Sequence, residues 1–246
     1  MQFFKLQTTK ISIKAAIIGF YLASGCVLAQ TLPLANSLIS LDSPQGEKLL
    51  TESKSRNDFL PLITQFVTQN NQAYCGVASS IMVLNSLQIS APEAPQYKPF
   101  RVFTQENFFN NENTKKIITP EIVSRQGLTL EQLGSLLAVY DVKVKVYHAE
   151  DINLKQFRQL VSENLTQPGN FVIANYLRKE IGQEKGGHIS PIAAYNEKTD
   201  RFLILDVSRY KYPPVWVKTA DLWKAMNTVD FVSKKTRGLV FVSKKS

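Results

Sequence analysis

The sequence predicts an α+β protein, helices first and antiparallel strands afterwards, arranged as two lobes with a cleft between them. Three observations carry this. After Cys75, apolar residues recur at helical spacing through Val77, Ile81, Leu84 and Leu87. From about residue 142 the pattern changes to alternation and to short runs of strand formers. A turn-like segment, Asn196 to Asp200, separates two of those runs.

In chain order, residues 1–29 carry Lys5, Lys10 and Lys14, no acid, and an apolar run from Ala15 to Leu22 that is too short to span a bilayer. With Val27-Leu28-Ala29 at cleavage-site spacing, this reads as a signal peptide and implies an exported protein, periplasmic or secreted. The rival reading, a lipid-attachment box at Cys26, has Ala23 where Leu is usual. Residues 30–58 are polar and turn-rich and are expected to form an extended lead-in, with the folded domain spanning 59–246.

Asn70 and Asn71 offer capping chemistry before the Cys75 helix. Thr129-Leu-Glu-Gln132 has capping-box spacing ahead of Leu133, Leu136, Leu137 and Tyr140. A third helix follows Asn153, with Phe157, Leu160, Val161 and Leu165 on its apolar face. Strands are expected over 142–147, 171–177, 188–195, 201–207, 215–217 and 239–242, with a short helix opening at Thr219.

Composition narrows the function. Loss of the three signal lysines takes the formal charge from +9 to +6, so anionic partners are favoured. The basic residues are dispersed and no nucleic-acid motif is present, which argues against nucleic-acid binding. No later apolar stretch is long enough to span a membrane. Beyond the signal the only cysteine is Cys75, which has no intramolecular disulfide partner. A buried core thiol is the ordinary fate of such a residue, so its neighbours decide.

A thiol becomes a strong nucleophile as thiolate, which a helix N-terminus and an imidazolium both favour. Cys75 has the helix. The imidazole must come from His148 or His188. If Tyr195 pairs with Arg201 across the hairpin, His188 lies opposite Ser208 and diagonal to Asp206 on one face, about 7–8 Å between Cβ atoms. His148 has Glu150 and Asp151 nearby but no comparable geometry, so His188 is favoured. Gln69, six residues before Cys75, is placed to join the Cys75 N–H in holding an oxyanion.

Three blocks closely resemble the signatures of the phytochelatin synthase family: Gln69-Asn-Asn-Gln-Ala-Tyr-Cys75-Gly-Val-Ala-Ser79, Gly187-His188-Ile-Ser-Pro-Ile192, and Asp206-Val-Ser-Arg-Tyr-Lys-Tyr-Pro-Pro-Val-Trp216. The likeness runs from about residue 50 to 243 and is nearest to short bacterial members. It implies a papain-like cysteine protease fold, a helical lobe with the nucleophile packed against an antiparallel sheet lobe. It also implies a Cys75, His188, Asp206 triad with Gln69 in the oxyanion hole, and attack on the Cys–Gly bond of glutathione. Glycine leaves, and γ-glutamylcysteine is held on Cys75 as a thioester.

Arg178, Arg209 and Lys211 stand where family members carry basic residues important for activity, and are expected to bind substrate carboxylates. No cysteine follows Cys75, so no protein metal site and no tightly bound cofactor are expected; Cd or Zn would arrive as a glutathione thiolate complex. Asn71-Gln72 replaces the acid and proline of plant-type members, which points to water as the main acceptor over a second glutathione. A homodimer is left open as the assembly. A papain-type peptidase acting on leader or cell-wall peptides, and a non-catalytic binder of glutathione or metal thiolate, are the competing readings.

Overall fold

The structure, a computed structural model, describes residues 31–245; the expected signal peptide lies outside them. In order, the elements are β1 (Ile39–Ser40), α1 (Pro44–Glu52), α2 (Phe59–Thr64), α3 (Cys75–Ser86), α4 (Glu112–Ile117), α5 (Pro120–Gln126), α6 (Leu130–Ala138), β2 (Val142–His148), α7 (Leu154–Asn164), β3 (Asn170–Leu177), β4 (Gly187–Asn196), β5 (Arg201–Ile204), β6 (Val215–Lys218), α8 (Thr219–Met226) and β7 (Gly238–Lys244). The α+β class is as the sequence predicts. Among the described residues no helix is long and apolar enough to cross a membrane.

The seven strands form one antiparallel sheet in the order β1-β6-β5-β4-β3-β7-β2. Strand alternation divides its core. Ile173, Ile189, Leu203, Trp216 and Val240 face α3 and α6, whereas Val172, Ala174, Ile192, Phe202, Val217 and Leu239 face α7 and α8. The expected packing of the Cys75 helix on the sheet is thus observed, and the opposite face carries a second helical layer. α3 is buried almost throughout, which fits a helix enclosed by the sheet on one side and by α2 and α6 on others.

The predicted capping box forms, and a second one opens the helix expected after Asn153. Thr129 and Gln132 exchange bonds at the start of α6, and Asn153 and Gln156 do so at the start of α7.

The lead-in requires correction. Residues 31–58 are not simply extended, because Ser43 caps α1 by accepting from the Gly46 N–H, Pro44 opens it and Glu47 lies in its first turn. β1 pairs with β6, and the Trp216 indole N–H donates to the Gly46 carbonyl at 3.1 Å. These contacts make the segment part of the sheet edge.

Candidate active site

Cys75 is the first residue of α3, so its sulfur sits where backbone N–H groups and the helix dipole favour negative charge. The capping expected from Asn70 and Asn71 is not what opens this helix. Tyr74 is the N-cap and makes no side-chain cap, while Asn71 Oδ1 accepts from the Ala73 N–H at 2.9 Å to shape the preceding turn. Gly76 lets the helix approach β4: a Cβ there would lie 2.8 Å from Leu128 Cδ1 and 3.3 Å from Ile189 Cδ1. The Ser79 hydroxyl then donates to the Ile189 carbonyl at 3.1 Å, fixing helix to strand next to His188.

His188 lies on β4, with its Nε2 2.8 Å from Asp206 Oδ1 and 3.0 Å from the Ser190 hydroxyl. With Nε2 so engaged, Nδ1 is the ring nitrogen left for Cys75, to which His188 is hydrogen bonded. Tyr176 packs its ring edge against the imidazole, centroids 5.7 Å apart. The residues that the hairpin argument selected do meet, but by a different route. The strands begin one residue out of the expected register, Asn196 opposite Arg201 and Tyr195 opposite Phe202, until a bulge between Ile192 and Ala194 restores Ile192 opposite Ile204. The Leu205 N–H then donates to the Pro191 carbonyl at 3.0 Å, which carries Asp206 onto the His188 face beyond the end of β5.

Charge in this interior is balanced. Burial opposes ionisation of Asp206, yet His188 and then Arg178 outweigh it and hold the carboxyl well below the ordinary carboxylate range. Burial also disfavours charge on His188; Asp206 reverses this, Arg178 moderates it, and the net shift is upward. For Cys75, burial is again the largest influence and raises the thiol, but the His188 hydrogen bond and charge, the Ile189 backbone N–H and the Arg178 charge together bring it below its ordinary value. These directions move the proton from sulfur toward imidazole. His148 lies elsewhere, with Nδ1 on the Thr236 carbonyl and Nε2 3.1 Å from Glu131.

The basic residues separate into different roles. Arg178 is buried, and its guanidinium is committed to Asp206 rather than free for a substrate carboxylate as expected. Its two terminal nitrogens grip Asp206 at 2.7 and 2.9 Å, Nη1 also donates to Gln183, and the group lies 5.2 Å from the Tyr212 ring centre. Arg209 is exposed, its guanidinium 4.8 Å from the Phe66 ring centre, and Lys211 pairs with Glu184 at 3.0 Å.

Gln69 is buried, its N–H donating to the Val207 carbonyl at 2.9 Å and its Nε2 to the Asn71 carbonyl at 2.6 Å, while Oε1 accepts from the Ser208 hydroxyl at 2.7 Å.

Sequence reasoning missed Arg237. Its Nη2 would lie 3.1 Å from a Cβ on Gly187, the residue before His188, and it pairs with Asp230 at 3.1 Å. It directly precedes β7, whose pairing with β3 sets Gly238 opposite Asn175. Among the described residues, no group of three or more His, Cys, Asp or Glu could hold a metal ion.

Comparisons with known proteins agree with the three sequence blocks. The family model described as phytochelatin synthase matches residues 29–239. Glutathione gamma-glutamylcysteinyltransferase 1 of Lotus japonicus is 35% identical over 209 residues, covering 84% of this chain and 40% of that protein. Glutathione gamma-glutamylcysteinyltransferase 2 of Arabidopsis thaliana is 34% identical over 215 residues, 86% of this chain and 46% of its own length. The Schizosaccharomyces pombe protein named glutathione gamma-glutamylcysteinyltransferase is 28% identical over 214 residues, 85% and 50% respectively. The chain therefore spans about half or less of the length of these relatives. Among solved structures, the interpain A cysteine protease of Prevotella intermedia aligns at 10% identity with a TM-score of 0.36, over 78% of this chain and 96% of the protease chain. With the match extending across nearly all of the described residues, the chain belongs to the phytochelatin synthase family.

Proposed function

We propose that this protein cleaves the Cys–Gly peptide bond of glutathione through a γ-glutamylcysteinyl thioester on Cys75. The observation that carries the reading is the continuous chain from Cys75 through His188 to Asp206 at a helix N-terminus, in a member of this family.

The thiolate attacks the carbonyl carbon of the cysteinyl residue, and the negative charge passes to the carbonyl oxygen. Gln69 Nε2 and the Cys75 N–H are the donors for that oxyanion. His188 gives its Nδ1 proton to the glycine nitrogen, the C–N bond breaks, and glycine departs. His188 then takes a proton from the acceptor, whose oxygen or nitrogen attacks the thioester and expels the Cys75 thiolate. Water yields γ-glutamylcysteine and is the main acceptor in this reading; the amine of a second glutathione yields a short phytochelatin. Asp206 orients the imidazole and stabilises its charged form.

For the substrate, Arg209 and Lys211 follow Asp206 in sequence and are proposed carboxylate ligands, Lys211 after release from Glu184. The Arg237 and Asp230 pair beside Gly187 offers one cation and one anion to the α-carboxylate and α-amine of the γ-glutamyl end. Cadmium or zinc enters this scheme as part of the substrate, a glutathione thiolate complex. Export through a signal peptide over residues 1–29 completes the reading, and recovery of the protein outside the cytoplasm tests that part.

The test of the reaction is product analysis with glutathione, with and without cadmium. Glycine release that depends on Cys75 supports the proposal. Cleavage of α-linked peptides without cleavage of glutathione would favour a peptidase, and tight binding without products a non-catalytic binder.

A further inference from the structure

We propose that Ser208 and Gln105 are positioning residues that hold the Gln69 amide in place for the oxyanion. This rests on the assignment of Gln69 as the oxyanion donor. A glutamine has three rotatable side-chain bonds, and an unrestrained amide would spend little time aimed at one point. Catalysis by hydrogen-bond donors depends on their being fixed before charge develops.

The structure restrains Gln69 from two sides. On the strand side, the Ser208 hydroxyl donates to Gln69 Oε1 at 2.7 Å. The Asn71 carbonyl, which only accepts, takes one Nε2 hydrogen at 2.6 Å and so decides which end of the amide is nitrogen. One Nε2 hydrogen then remains for substrate. The Ser208 backbone N–H also donates to Asp206 Oδ1 at 2.8 Å, so a single residue ties the acid of the relay to the oxyanion amide.

From the segment between α3 and α4, Gln105 acts on the backbone flanking Gln69. Its Oε1 accepts from the Asn70 N–H at 2.8 Å, and its Nε2 donates to the Thr68 carbonyl at 2.9 Å and the Asn70 Oδ1 at 3.0 Å. Both amide hydrogens and the amide oxygen are thereby committed to the two residues either side of Gln69. Gln105 and Ser208 are both largely buried, so water does not readily replace these bonds.

The experiment measures glycine release from glutathione for Ser208→Ala, Gln105→Ala and Gln69→Ala, singly and combined. The Gln69→Ala variant is expected to lose about 10²–10³ in kcat. Ser208→Ala and Gln105→Ala are each expected to lose about tenfold in kcat, with KM within about twofold, since the bonds act on the transition-state donor. Added to Gln69→Ala, neither should cause further loss, because nothing remains to be positioned. Ser208→Thr, which keeps the hydroxyl, should recover most of the activity. Alkylation of Cys75 by iodoacetamide develops no oxyanion and should proceed at the wild-type rate in both positioning variants, which also reports an intact fold. Wild-type kcat in Ser208→Ala and Gln105→Ala beside an impaired Gln69→Ala would overturn the positioning role alone, as would full additive losses in the Gln69→Ala background. Undiminished kcat in Gln69→Ala would overturn the oxyanion assignment with it.

Discussion

Two regions meet at Cys75, and they differ in kind. The strand side, built from β4, the end of β5 and the segment after β3, contributes charge: His188, Asp206 and Arg178. The loop side contributes neutral dipoles: Gln69 and Asn71 before α3, and the Gln105 amide, from the segment between α3 and α4, that braces them. The contrast follows the chemistry. In the proposed reaction a thiolate is generated within a buried site, which needs compensating charge, whereas the oxyanion is transient and is best met by fixed dipoles that cost little when it is absent.

The comparison is broken most severely by removing its meeting point. Cys75→Ala or His188→Ala is expected to reduce glycine release from glutathione by at least about 10⁴-fold, measured as initial rates. Asp206→Asn should follow, with a loss of about 10³–10⁴ in kcat. It should also destabilise the fold by about 3–5 kcal/mol in urea titration, because Arg178 would be left buried without its carboxylate.

Arg178→Met sharpens the electrostatic half. The guanidinium lowers the Cys75 thiol and also lowers His188, so its loss should move both limbs of the pH profile of kcat/KM upward. The rate at the optimum should fall by about tenfold or less. If Arg178 instead bound substrate directly, KM would rise and the limbs would stay in place.

The smallest effect concerns Asp58, which lies away from this charge balance. It is buried, neither carboxylate oxygen has a hydrogen-bond partner among the described residues, and burial pushes its pKa up to about 9. Its folded-state pKa exceeds the unfolded carboxylate value, so the contribution to stability is present at low pH and is lost as pH rises toward about 9. Asp58→Asn, which stays neutral, should melt higher than the wild type at pH 8, by the equivalent of about 1–3 kcal/mol, with the difference shrinking toward pH 4. Equal slopes of melting temperature against pH would contradict this.

Local patterns carried much of the architecture. The period after Cys75, the capping boxes at Thr129 and Asn153 and the alternation over 142–147 are interactions among near neighbours, and each produced its expected element. The short helices α1, α4 and α5 escaped because six to nine residues give little room for a periodic signal, although Ser43-Pro44 and Thr119-Pro120 mark two of their starts. His188 and Asp206 were legible as neighbours, but the one-residue offset and the bulge that corrects it were not, since nothing in the Ile192-Ala193-Ala194 sequence announces an unpaired residue.

The fate of Arg178 was not legible at all. Its two bonds to Asp206 span 28 residues and depend on how the segment after β3 folds back under β4. Gln105 and Arg237 are equally tertiary, each reaching the site from an element with no local mark of function.

The most direct test of the central claim is intact-protein mass spectrometry of the chain quenched in acid during turnover with glutathione. The account predicts an adduct on Cys75 equal to γ-glutamylcysteine less one water, appearing with one equivalent of glycine and absent from Cys75→Ala. Glycine release with no adduct on Cys75 under any quench, or the same release from Cys75→Ala, would contradict it.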